Sequence, residues 1–227
     1  MLDAGPTPIA IVPSAPVMVP ELGRGVAAEL TELTAAVHAA AAILPARWIA
    51  IGVGDRDGRI GPDAAGTFAG YGAEVAVTLG PDGEWPVREL PLCALIAGWL
   101  RGRIDPSGTV EVRVFAADLT AAEAFARGRA LRTEIGDAGV LVVADGANTL
   151  TPAAPGGFDP DSVAVQQQWD DALAVGDVAA LAELDGALGR VAYQVLAGLA
   201  GAEPSATELY RGAPYGVGYF VGTWVAG

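Results

Sequence analysis

The stretch "GVLVVADGANTLTPAAPGGFDP" (Gly139–Pro160) holds two signals in sequence. Its first five residues are a continuous apolar run rich in β-branched side chains, and the run stops at Asp145. An unbroken apolar strand, as opposed to an alternating one, belongs in a sheet covered on both faces. The next fifteen residues, Gly146–Pro160, are dense in Pro and Gly and too long for a plain connector. Working outward, "TPIAIVP" (Thr7–Pro13) and "RWIAIGVG" (Arg47–Gly54) read as two more buried strands, "AEVAVTLG" (Ala73–Gly80) as a third, and "TVEVRVFA" (Thr109–Ala116) as a half-buried alternating one.

Helical stretches separate these strands. Glu21–Leu44 repeats Leu22, Val26, Leu30, Leu33 and Val37 at spacings of three and four. Val87–Gly102 is helical from near Pro91, and Thr120 with Glu123 forms a capping box that opens a helix toward Ile135. Further helices are expected in Asp161–Asp177, Val178–Asp185 and Ala187–Gly201, with closing strands in Thr207–Gly212 and Gly216–Gly227, the last of them antiparallel. The expectation is one α/β domain over residues 1–227, a three-layer α/β/α sandwich about a central, mostly parallel but mixed sheet.

The chain has 227 residues, 52% of them hydrophobic, enough to bury a large core. Its formal charge is -14, and all 13 basic residues are Arg. The Lys-free, Ala- and Gly-rich composition reads as a GC-rich, bacterial coding bias. Phosphate backbones and anionic membrane surfaces need a basic face, so neither nucleic acid nor membrane is an expected partner. Cys93 is the only cysteine, which excludes an internal disulfide framework and a Cys-rich zinc site; its apolar surroundings make it a small core residue. The Ala-rich run around His38 is broken by Pro45 and Arg47, and no basic segment precedes an apolar one at the start. A soluble, cytoplasmic protein is expected.

His38 is the only histidine, and it sits in a helical run with no acid beside it in sequence. General-base work at neutral pH usually falls to His, so its scarcity limits the chemistry. No G-x-S-x-G elbow is present, and two-His-one-carboxylate iron sites cannot be built within one chain. "GVGDRDG" (Gly52–Gly58) lacks the third glycine of a dinucleotide fingerprint. "DRDGRIGPD" (Asp55–Asp63) fails the calcium-loop spacing at Arg59, Ile60 and Gly66, and reads as a solvated turn in which Arg59 pairs with a neighbouring acid. Asp55 and Asp145 remain, each following a buried strand where open α/β sheets form ligand crevices; either can also serve as a cap for backbone N–H groups.

Four stretches, in order and spanning nearly the whole chain, resemble the class III extradiol ring-cleavage dioxygenase superfamily, in its LigB-like and Memo-like branches. They are "IVPSAPVMVPEL", "WIAIGVGD", "VLVVADGANTLTPAAPGGFDP" and "APYGVGYFV". The third carries Leu150, Thr151, Pro152, Ala154, Pro155, Gly157, Asp159 and Pro160 at the family's spacing. The resemblance implies a three-layer α/β/α fold whose strand-end loops hold Fe(II) through two His and one Glu, with another His as acid–base. Ser14 then stands at the first metal-binding His, Gly54 or Asp55 at the second, and Asn148 at the acid–base His. The expected Glu falls near Arg211 or Gly212, and Asp145 matches the family's Asp. Ser and Asn are poor Fe(II) ligands beside imidazole, and Asn cannot shuttle a proton at neutral pH.

The leading expectation is a catalytically degenerate member without a cofactor. It would bind a small molecule or a protein partner, alone or as a homodimer, with Ser14, Gly54, Asp55, Asp145, Asn148 and Arg211 as pocket candidates. One rival is a rebuilt enzyme in which Asp55 and Asp145 hold Mg²⁺ or Mn²⁺ for hydrolysis. Another is ring cleavage with histidines supplied by a partner subunit.

Overall fold

The computed structural model describes residues 5–23, 30–81, 83 and 85–227. In chain order the elements are β1 (Thr7–Val12), α1 (Thr31–Ala41), β2 (Arg47–Gly54), β3 (Gly58–Ile60), β4 (Ala65–Thr67), β5 (Ala76–Thr78), α2 (Leu92–Ile104), β6 (Thr109–Ala116) and α3 (Ala121–Arg132). Then come β7 (Gly139–Val143), α4 (Asp161–Val175), α5 (Val178–Glu183), α6 (Arg190–Ala200), β8 (Ser205–Gly212) and β9 (Tyr219–Ala226). A seven-stranded sheet runs in the order β3-β6-β2-β7-β1-β9-β8. Its centre, β6-β2-β7-β1, is parallel, and β3, β9 and β8 close the two sides antiparallel.

The period of two along each strand divides the core into two layers. Ala10, Val12, Ala50, Leu141 and Val143 face α1 and α2. Ile9, Ile11, Ile49, Ile51, Val140 and Val142 face α3 to α6. This is the α/β sandwich read from the continuous apolar strands. Trp48, Trp169 and Trp224 are fully buried, and each is worth a few kcal/mol of apolar burial, on the order of 2–3. The indole N–H of Trp169 donates to the Asp185 carbonyl and that of Trp224 to the Leu173 carbonyl, each at 2.9 Å, so neither leaves a buried donor unmet. α3 and α6 meet backbone to backbone: a Cβ on Gly128 would lie 2.0 Å from the Val195 carbonyl oxygen, and one on Gly198 2.1 Å from that of Phe125.

Three local expectations change. Ala73–Gly80 is not a strand of the main sheet; it yields only β5, paired with β4 in a separate two-stranded sheet. The outer edge of β6 is already taken by β3, and the Leu79 carbonyl merely accepts the Val110 N–H at 2.8 Å. β3 itself lies within the stretch read as a solvated turn, and Arg59 pairs not with a neighbouring acid of that loop but with Glu111 on β6, across 2.6 Å. The first helix is shorter than Glu21–Leu44. Leu22 and Gly23 close a turn on the Val19 carbonyl, residues 24–29 with Val26 lie outside the described residues, and α1 begins at Thr31. Its buried side is the anticipated Leu33 and Val37.

The other local readings hold. Pro91 precedes α2, and the Thr120–Glu123 capping box is made in both directions. Cys93 is buried, and desolvation pushes its thiol up to about 12, which leaves it an unreactive core residue. His38 lies in the last turn of α1, 6.1 Å from the Trp99 ring centroid, and burial followed by the Arg103 charge lowers its pKa. No described helix is long and apolar enough to cross a membrane.

Candidate functional site

The parallel strands point their carboxyl ends at one edge of the sheet. β1 and β7 pair with Val12 opposite Val143, so two residues further on Ser14 and Asp145 stand side by side. The Ser14 N–H donates to Asp145 Oδ1 at 2.7 Å. The proline on either side of Ser14 and Ala15 ends the strand there, which frees that N–H from the ladder. The backbone of the Asp145 segment is held from two directions. Gly146 N–H donates to the Gly218 carbonyl and Gly218 N–H to the Ala147 carbonyl, both at 2.8 Å. Gly189 N–H donates to the Asp145 carbonyl at 2.7 Å, at the start of α6.

These contacts enclose the Asp145 carboxyl, although the residue keeps a partial opening to solvent. Desolvation pushes it up to about 7, and the Ser14 N–H only partly opposes this. The Tyr219 hydroxyl is raised by burial and then by the Asp145 charge. The Tyr193 hydroxyl, raised for the same reasons, donates to the Ala144 carbonyl at 3.0 Å. Near neutral pH the site therefore offers a carboxyl poised between its two protonation forms, with a phenol nearby that keeps its proton. Such a pair can exchange a proton with a ligand or hydrogen-bond to one.

The remaining sequence candidates are placed differently. Gly54 brings no functional group, and a Cβ there would lie 2.7 Å from Val114 Cγ1. Asp55 is exposed on the loop after β2. Asn148 is half-buried and turned toward its own loop: its carbonyl accepts the Gly156 N–H at 3.0 Å, and its Oδ1 would be 2.8 Å from a Cβ on Gly156. Arg211 does not bring free positive charge to the strand ends. It is bonded to both carboxylate oxygens of Glu208 and, at 2.7 Å, to Asp171. These hydrogen bonds raise its pKa further.

Gln166 escapes sequence reasoning. It is buried on α4, accepts the Ala147 N–H at 2.8 Å and donates to Asp170 at 2.8 Å. Burial pushes Asp170 up to about 6. Gln166, Asp170 and Arg211 line a cleft of about 420 Å³ with Leu150 and Thr151. The available signal was the spacing of Gln166, Trp169, Asp170 and Leu173, which puts two polar residues on the buried stripe of a helix. The described donors at the strand ends do not fit an Fe(II) site: one carboxyl, one amide turned into its loop and a serine. Among the described residues no three His, Cys, Asp or Glu side chains converge as a metal would require.

No family model matches the chain, and no curated protein matches it. Among solved structures it is similar to uncharacterized protein JW3007 from Escherichia coli K12, with a TM-score of 0.54 and 11% identity. That similarity covers 96% of this chain and 99% of that one, so the two share a fold over nearly their whole extents.

Proposed function

We propose that the chain is a catalytically degenerate member of the class III extradiol dioxygenase superfamily that works by binding a small molecule at the carboxyl edge of β1 and β7. The reading is supported above all by the contact between the Ser14 N–H and the Asp145 carboxyl. It stands at the position where the resemblance puts the first metal-binding histidine. A carboxyl held near neutrality there suits a ligand that both donates and accepts hydrogen bonds. Asp145 is the recognition group, Tyr219 a second one, and the Gly146–Gly218 clamp keeps both in place. Asp55 is exposed, which argues against a two-aspartate metal site.

The test is metal content by mass spectrometry on chain purified without oxygen and offered Fe(II), Mn²⁺ and Mg²⁺ in turn. No stoichiometric metal is the expected result. Stoichiometric metal that is lost in Asp145→Ala or Asp55→Ala would replace this reading with a rebuilt metalloenzyme. Metal gained only on mixing with a partner chain would point to shared histidine ligands.

A further inference from the structure

A sizeable cavity lies away from the strand ends, on the face covered by α3, α5 and α6. It is an open groove of about 790 Å³, within the range of about 300–1,000 Å³ typical of small-molecule sites. Its lining is mainly apolar, from Phe125 on α3, Val178 and Ala182 on α5, and Ala197 on α6. Gly128 and Gly198 let α3 and α6 touch, and small side chains on α5 leave the space above that contact open.

The α3 wall carries charge of the sign that is scarce elsewhere. Arg129 and Arg132 line it, on a chain of formal charge -14. Arg132 is occupied, donating to the Gly227 carbonyl. Arg129 is exposed and has neither an ion pair nor a hydrogen bond among the described residues. Glu183, on the α5 wall, lies beyond ion-pair distance of it. A guanidinium with no partner beside an apolar trough matches a molecule with an anionic head and an apolar tail, because Arg recognises carboxylates through a planar fork. Glu183 would repel that head, which sets its direction toward α3.

We propose that the groove between α3, α5 and α6 is a second binding site that takes a single-chain anionic amphiphile, with the chain along Phe125, Val178 and Ala197 and the carboxylate on Arg129. It shares no residue with the strand-end site and does not depend on that site's function.

Calorimetric titration of the whole chain with decanoate, kept below its micelle concentration, tests this. Decanol and decyltrimethylammonium are the comparison probes. Saturable one-to-one binding of decanoate is expected, with weaker binding of decanol and none of the cation. Arg129→Ala should weaken decanoate roughly tenfold, the worth of a charge-assisted hydrogen bond, and leave decanol unchanged. Ala182→Trp should fill the groove and abolish both. Arg129 is exposed, so its variant keeps the test decisive even where Ala182→Trp fails to fold. Absence of saturable decanoate binding, equal affinity for the cation, or no effect of Arg129→Ala would overturn the proposal. So would a dimer in sedimentation that Ala182→Trp dissociates, since the groove would then hold a second copy.

Discussion

Asp145 and Asp55 each follow a buried parallel strand, and the strands β7 and β2 are neighbours in the sheet. By position they are equivalent; by environment they are opposites. Asp145 is walled in by the chain after β1, by the start of β9 and by the start of α6. Asp55 opens into the excursion toward β3 and faces water. The rule that strand ends form ligand crevices therefore locates an edge of the sheet, and closure by distant segments decides which strand end on it is enclosed. Here the closing parts are the β8–β9 hairpin and α6, separated from Asp145 by tens of residues.

The comparison breaks most visibly with pH. Asp145 titrates near 7 in the fold, against an ordinary value of 3.8. Between those values the native state holds more protons than the unfolded one. Its contribution to stability is therefore full below about pH 4 and falls as pH rises through about 7. Asp145→Asn keeps an acceptor for the Ser14 N–H and cannot ionise. At pH 8 it is expected to be more stable than the parent by a few kcal/mol at most, with the two converging near pH 4. Urea unfolding across that window measures the difference. A parent and variant with parallel pH profiles would mean that the carboxyl is not desolvated. Asp170, near 6, adds a slope of the same sign that both proteins share.

Next in size is the closure itself. A Cβ on Gly189 would meet Ala144 Cβ at 2.4 Å and the Asp145 carbonyl oxygen at 2.8 Å. Neither neighbour is the tip of a flexible side chain. Gly189→Ala is therefore expected to cost about 1–3 kcal/mol and to shift the Asp145 titration downward as the wall around it loosens. On the open side, a Cβ on Gly58 meets only Val114 at 3.8 Å, an ordinary contact. Gly58→Ala should change stability by no more than about 0.5 kcal/mol. Thermal unfolding of the two variants side by side reads this contrast; equal losses would remove the distinction between the closed and open strand ends.

Much of the fold was legible because it rests on local pattern. The unbroken apolar runs Ile9–Val12, Ile49–Ile51 and Val140–Val143 demanded cover on two faces, and the structure places those residues in the two core layers. Ala73–Gly80 misled because its buried Val77 and Leu79 reach the core from a small side sheet, and strand length and edge availability are not written in an eight-residue pattern. At the site, Ser14 and Asp145 were legible as strand-end residues. Their contact is a matter of register between strands 131 residues apart. Gln166 and Tyr219 were not singled out, because a buried glutamine and a strand tyrosine acquire their roles only from what lies across from them. Arg211 was read as a pocket candidate and lines a cleft, but its pairing with Asp171 and Glu208 was not legible, since the three come together only in the fold.

The smallest expected effect sharpens the comparison further, because it involves two aspartates on one loop. Asp55 is exposed and has neither a hydrogen bond nor an ion pair among the described residues, so Asp55→Ala should alter stability by less than about 0.5 kcal/mol. Asp57, two residues on, accepts the Ala116 N–H at 2.9 Å and pairs with Arg127 at 3.0 Å, which ties the loop to the end of β6 and to α3. Asp57→Ala should cost about 1 kcal/mol, most of it from the lost backbone bond, because the exposed ion pair is screened and worth little. Raising salt to 1 M should therefore leave the gap between the two variants largely intact. A gap that closes with salt would assign the loop's anchoring to the Arg127 pair, and an Asp55 variant as costly as the Asp57 one would show that this strand end is built for more than a turn.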